Sequence, residues 1–399
     1  MSIDVVVFVV GAVFALGILI WTADYADRRQ ARWARWVVRL TVWAVALLYV
    51  FWGLGALLSA YADPPSADAP SLGAAWGGFV LSVLVAAAAV ALTFAAVRRH
   101  LVRFFPRYRS EAAVPLPSDL APPPLPALFP QEGEPLFSQQ LNYYTDRTTA
   151  PEMFAASSAT PNPPAPASAV RGFNPQSEVH ALAMIVVVLA LGGQFIDFVL
   201  GGGLSGVAEE FESGISIGDL LINSLPMVVL PFLGVGLGTR RTWREALRRL
   251  GLGRLTWEGV RVALAVTFGL LVWLVVVGVL WQTLVPQDVY EEQNQATDAL
   301  ASSVTTLGLA FTLAATAAVG EEITFRGALQ PVFGFWATAL CFTLFHAQYT
   351  LTPAWLMIFG VALALGWVRQ RYNTTTAILT HFLYNFVQLL IALSIPAIF

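Results

Sequence analysis

Six side chains between residues 321 and 385 have the types and spacing to do chemistry. Glu321 and Glu322 are adjacent, and Arg326 follows Glu322 by four residues. On a helix, residues four apart share a face, so Glu322 and Arg326 can pair. That pairing neutralises one carboxylate. Glu321 lies about 100° round an α-helix, so it is left without that partner and is available as a general base. His346 closes the stretch Phe342-Thr-Leu-Phe-His346, and His381 and Asn385 are again four apart. Of the four histidines, His100 sits in a basic flank and His180 at a membrane boundary, where neither needs a special role. A single buried histidine is more often structural than catalytic. Two of them beside an amide and a carboxylate pair favour a site.

These residues carry information because of what surrounds them. The chain of 399 residues is 57% hydrophobic and 12% charged, against about a quarter charged in a soluble domain. Its apolar runs are near twenty residues long, so the solvent is lipid. An ionisable group at the centre of a membrane helix costs roughly 2.5–3.5 kcal/mol, which makes the cluster in the last hundred residues notable. The expected fold is an all-α, polytopic transmembrane helical bundle. About ten membrane segments are read from the hydropathy, near residues 3–23, 40–61, 74–97, 180–200, 218–238, 259–283, 303–329, 334–348, 353–370 and 375–398. The first, with Asp4 in place of a basic start and no small-residue cleavage site behind it, is expected to stay.

Charge sets the expected orientation. All 22 basic residues are arginine, and they gather after the first, third, fifth and ninth segments. The alternate loops are acidic or uncharged, as at Glu209, Glu210 and Glu212. Short arginine-bearing loops stay in the cytoplasm, so ten crossings put both termini outside, in a cell membrane. Residues 110–176 hold 14 prolines and too little apolar surface to fold alone, which reads as a disordered cytoplasmic linker. The expected organisation is a three-helix unit over 1–109, a linker over 110–179 and a seven-helix domain over 180–399. No internal repeat supports a transporter of repeated halves. The net charge of −3, with basic clusters only at membrane flanks, argues against a nucleic-acid partner. The single Cys341 excludes an internal disulfide and a Cys-rich zinc site. Asp197 is expected to reach water, and Asn223 to bond a neighbouring helix.

Helix geometry allows the six residues to meet. Segments seven and eight form a hairpin, with Pro331 ending the first helix and Gly334 permitting the turn. Glu321 and His346 then both lie roughly 18–20 Å from the apex, and His381 and Asn385 lie roughly 10 and 16 Å into the last helix. All four converge near the middle of the membrane or in its arginine-rich half.

Glu-Glu-x-x-x-Arg, Phe-x-x-x-His and His-x-x-x-Asn, in this order, resemble the three motifs of the CPBP family, which includes the Rce1-type CAAX prenyl endopeptidases and the Abi proteins. The resemblance covers about residues 300–395 and is carried by Glu321, Glu322, Arg326, Phe342, His346, His381 and Asn385. It implies an intramembrane endopeptidase acting on a membrane protein or lipidated peptide. By the same resemblance, Glu321 and His346 activate the attacking water and His381 and Asn385 stabilise the oxyanion. Glu322 and Arg326 hold the geometry. The side-chain chemistry agrees: peptide hydrolysis needs a base for water, an acid for the leaving amine and donors for the developing charge, and an Asn amide and an imidazole N–H both donate.

Two points stay open on the residues. Glu321, His346 and His381 match a His₂Glu zinc site with one open position, yet no helix carries two histidines in a His-Glu-x-x-His pattern, so zinc and a metal-free water both remain. The same fold also suits a non-catalytic membrane scaffold or immunity factor, which would tolerate Glu321→Gln. A transporter with a proton relay would show uptake driven by a pH gradient.

Overall fold

The computed structural model describes residues 3–62, 69–106, 172–212, 214–349 and 354–394. The bulk of the Pro-rich stretch expected to be a linker, 107–171, lies outside them. In chain order the helices are α1 (Ile3–Arg29), α2 (Arg32–Ala60), α3 (Leu72–Leu92), α4 (Ala95–Leu101), α5 (Glu178–Leu200), α6 (Leu204–Glu212), α7 (Ile217–Gly234), α8 (Trp243–Leu250) and α9 (Trp257–Leu284). They continue with α10 (Gln287–Ser303), α11 (Leu307–Glu321), a π-helical segment (Glu322–Leu329), α12 (Gln330–Phe333), α13 (Phe335–Leu344), α14 (Trp355–Arg371) and α15 (Thr374–Ser394). Apart from an isolated bridge between Leu237 and Arg241, the described residues are helices and connections. The chain is an all-α, polytopic helical bundle.

Eight helices among the described residues are long and apolar enough to cross a membrane, with Leu307–Phe333 counting as one continuous span. The sequence suggested ten. The difference lies at the hairpin after Gly334. Helix α13 has 10 residues, about 15 Å, which is half of a hydrocarbon core of about 30 Å. Helix α14 has 17, about 25 Å. The two segments expected here are therefore the shorter helices α13 and α14, and His346 sits just past the end of α13.

The helices start where side chains satisfy their free N–H groups. Ser177, Ser216, Thr256 and Thr306 each accept from the backbone N–H three residues on. Thr242 and Glu245 form a capping box on α8, and Gly251 in the left-handed region (φ 72°) ends it. The carboxylate of Asp27, near the end of α1, accepts from the Ser177 hydroxyl (2.6 Å) and the Glu178 N–H (2.7 Å), so α1 caps α5. Buried Arg98 on α4 donates to the carbonyls of Pro175, Leu92 and Thr93 and pairs with Glu178 at 3.4 Å. Buried Asp24 on α1 pairs with Arg28 and with Arg240 beyond α7. Polar contacts thus join the first helices to the later ones within one compact unit.

The π-helical segment is held by carbonyls that prolines leave short of a donor. A proline has no N–H to give the carbonyl four residues back. Pro231 inside α7 leaves the Met227 carbonyl in that position, and the Thr324 hydroxyl donates to it at 2.7 Å. Pro331 does the same to Gly327, whose carbonyl accepts from Arg249 Nη1 at 3.1 Å. The neighbouring Arg326 carbonyl accepts from Arg369 Nε at 3.2 Å. Pro331 was expected to end the helix. Instead the Gln330 N–H reaches the Phe325 carbonyl five residues back, and helix resumes to Phe333. The turn falls at Gly334, whose φ of 87° suits glycine. Asn223, expected to bond a neighbouring helix, is exposed, as is Asp197.

Close backbone approach locates the segment against α8. A Cβ on Gly327 would stand 3.1 Å from the Leu250 carbonyl oxygen and 3.3 Å from Leu250 Cδ2. Gly327→Val is expected to destabilise the protein by about 1–3 kcal/mol through overpacking. A lowered thermal unfolding midpoint in detergent would show this, and an unchanged midpoint would contradict the tight α8 contact.

Candidate active site

The π-helical segment, α13 and α15 bring the polar residues together. Arg326 Nη1 donates to Glu322 Oε1 at 3.0 Å, one helical step of four residues as the spacing predicts. His381 Nδ1, from α15, bonds the same oxygen at 2.9 Å. Glu322 and Arg326 are almost wholly buried, with 0% and 1% of their surface exposed, and His381 keeps 4%. Arg326 spends its remaining reach on α14 and α13: Nη2 donates to the Ala362 carbonyl at 3.2 Å, and its guanidinium carbon lies 4.1 Å from the centre of the Phe342 ring. Buried charges need both a counter-charge and hydrogen bonds, and Arg326 has both, together with a cation–π contact.

Phe342 links the two imidazoles. Its ring centroid is 5.0 Å from that of His346 and 6.1 Å from that of His381. His346 Nδ1 bonds the Phe342 carbonyl at 3.0 Å. A carbonyl only accepts, so Nδ1 carries the proton and the neutral ring has its lone pair at Nε2. Glu322 Oε1 accepts from Arg326, and as an acceptor toward His381 too it pairs with a proton on Nδ1. The Nε2 of His381 then donates only when the ring is protonated.

The remaining two residues stand differently. Glu321 is half-buried at the end of α11, and its Oε2 is shielded from solvent with no hydrogen-bond partner. Glu322 Oε2 is in the same condition. Asn385 is half-buried, one turn beyond His381 on α15. No direct bond joins Glu321 or Asn385 to the histidines among the described residues. Nor do three His, Cys, Asp or Glu side chains among them lie close enough together to hold a metal ion. Glu321, His346 and His381 in this arrangement therefore do not fit the zinc ligand set that their types suggested.

Four residues that the spacing argument did not single out support the site. Gln194 on α5 donates to the Phe345 carbonyl at 2.7 Å, pinning the end of α13 beside His346. Thr324, Arg249 and Arg369 hold the π-helical segment as described. Gln194 carried a signal, as an amide within an apolar run. The arginines looked like ordinary flank residues.

Residues 303–387 match the family model described as type II CAAX prenyl endopeptidase Rce1-like. The match takes in all six polar residues. This stretch is similar to the Rce1-like domains of the CPBP and CAAX protease family. No curated protein and no solved structure matches the chain. With its apolar helices, the Rce1-like domain makes this a multi-pass membrane protein, set in a lipid bilayer. π-Helical turns are rare and often mark functional sites, and here one contains Glu322 and Arg326 of the Rce1-like domain.

Removing one partner of a buried pair leaves an uncompensated charge. Arg326→Ala is expected to cost about 3–5 kcal/mol, read by thermal unfolding in detergent. Pairing it with Glu322→Gln is expected to recover part of that loss. Additive losses in the double variant would contradict the pairing.

Proposed function

We propose that the protein is an intramembrane endopeptidase that hydrolyses a peptide bond of a membrane-associated protein or lipidated peptide. The observation that carries this reading is the division of labour between adjacent carboxylates. Glu322 is spent on Arg326 and His381 through one oxygen. Glu321 presents a buried oxygen with no protein donor, which suits it to receive a water's proton.

In this mechanism Glu321 takes one proton from water as the water oxygen bonds the scissile carbonyl carbon. The carbonyl oxygen becomes an oxyanion. Asn385 offers an amide N–H to it, whatever its protonation, and His381 offers Nε2–H when its ring is charged. Collapse of the tetrahedral species breaks the C–N bond, and the proton passes to the leaving amine. The relay runs through the His346 ring, whose Nδ1 bonds the Phe342 carbonyl. No step runs through a metal. Glu322 and Arg326 position His381 and do not touch the reacting atoms.

The same reading places the arginine-rich loops and the Pro-rich stretch in the cytoplasm, with both termini outside. Cleavage would then occur within the membrane, toward the cytoplasmic side. It also keeps residues 180–399 as the protease portion.

Full-length protein in lipid vesicles, offered a membrane-embedded peptide library, tests the proposal. Glu321→Gln and His346→Ala are each expected to abolish cleavage, and His381→Ala and Asn385→Ala each to slow it by about 10²–10³-fold, as for an oxyanion donor. Cleavage that survives in Glu321→Gln and His346→Ala alike would refute it and favour a non-catalytic scaffold.

A further inference from the structure

Among the described residues three arginines are buried: Arg98, Arg326 and Arg369. The first two have carboxylate partners, Glu178 and Glu322. Arg369 has none among the described residues. It is 3% exposed, donates from Nε to the Arg326 carbonyl, and leaves Nη2 shielded from solvent without a partner. A buried guanidinium is strongly disfavoured without a counter-charge, so what balances Arg369 needs an answer.

Arg369 borders a cavity of about 370 Å³. Arg326 lines it too, with Gln330, Pro331, Phe335 and Gln370, and among the described residues no acidic side chain lines it. Glu322 faces Arg326 but is already shared with His381. The cavity therefore has more positive charge around it than the described residues offset. Its position narrows the ligand. Arg369 is two residues from the end of α14, and the end of α12 and the Gly334 turn border the same space. This is the arginine-rich end of the bundle, the depth at which lipid phosphates meet a membrane protein.

We propose that this cavity binds a phosphate group, with the Arg369 guanidinium as its principal counter-charge. Arginine suits the role because its guanidinium keeps its charge and donates strong hydrogen bonds to phosphate oxygens. The anion supplies the counter-charge that the described residues lack there. Proteolysis is not needed for this inference, so it is tested by binding alone.

Full-length protein is placed in phosphatidylcholine nanodiscs with and without one-fifth phosphatidylglycerol, and separately in maltoside micelles titrated with inorganic phosphate against chloride of equal ionic strength. The readout is the thermal unfolding midpoint. Arg369→Gln keeps a donor for the Arg326 carbonyl but removes the charge. Gln370→Glu puts a negative charge on an exposed residue at the cavity wall, where it does not disturb the core. A midpoint raised by phosphatidylglycerol or by inorganic phosphate, with at least about tenfold weaker apparent affinity in both variants (about 1.4 kcal/mol), supports the proposal. A response to the lipid alone assigns the phosphate to a headgroup. A response to inorganic phosphate as well shows that the phosphate group suffices. If Arg369→Gln fails to fold, Gln370→Glu decides alone. No shift with either probe, or equal shifts in wild type and Gln370→Glu, would overturn it.

Discussion

One carboxylate oxygen, Glu322 Oε1, accepts from both Arg326 and His381. Everything else at the candidate site follows from the cost of keeping those charges away from water. In a low-dielectric interior a charge is tolerable only when paired and hydrogen-bonded, so the π-helical segment and α15 cannot drift apart without breaking the arrangement. Phe342 adds a third wall, stacking beneath Arg326 and touching both imidazoles. Because Glu322 is committed in this way, the proposed mechanism gives the task of a base to Glu321.

The backbone obeys the same constraint. In lipid every peptide group must find a partner within the protein. The two prolines at residues 231 and 331 would leave carbonyls short of donors, and side chains of Thr324 and Arg249 meet them. The irregular segment that carries Glu322 and Arg326 is thus tied to α7, α8 and α14 by hydrogen bonds that regular helices would have kept to themselves. A site built on an irregular turn can still be rigid when its neighbours supply the missing bonds.

Much of this was legible in the sequence. Apolar runs of membrane length and scarce charge announced the helical bundle, and the four-residue spacing of Glu322 and Arg326 announced their pair. The orphan state of Glu321 followed from that pair. What the spacing could not show was the partner of His381, because Glu322 lies 59 residues away in sequence and only packing joins them. The π-helical register was hidden too, since Pro331 reads locally as a stop, and the donors that let helix continue come from Arg249 and Arg369 on other elements. Helix α13 looked longer because hydropathy counts apolar residues and does not see that helix ends at Leu344.

The most direct measurement is a double-mutant cycle on peptide cleavage with Glu322→Gln and His381→Asn, in full-length protein in lipid vesicles. If Glu322 acts only by holding His381, the two losses are strongly non-additive, and the double variant is no slower than the His381→Asn single variant. Losses that multiply independently would contradict the account, because Glu322 and His381 would then be contributing to the reaction separately.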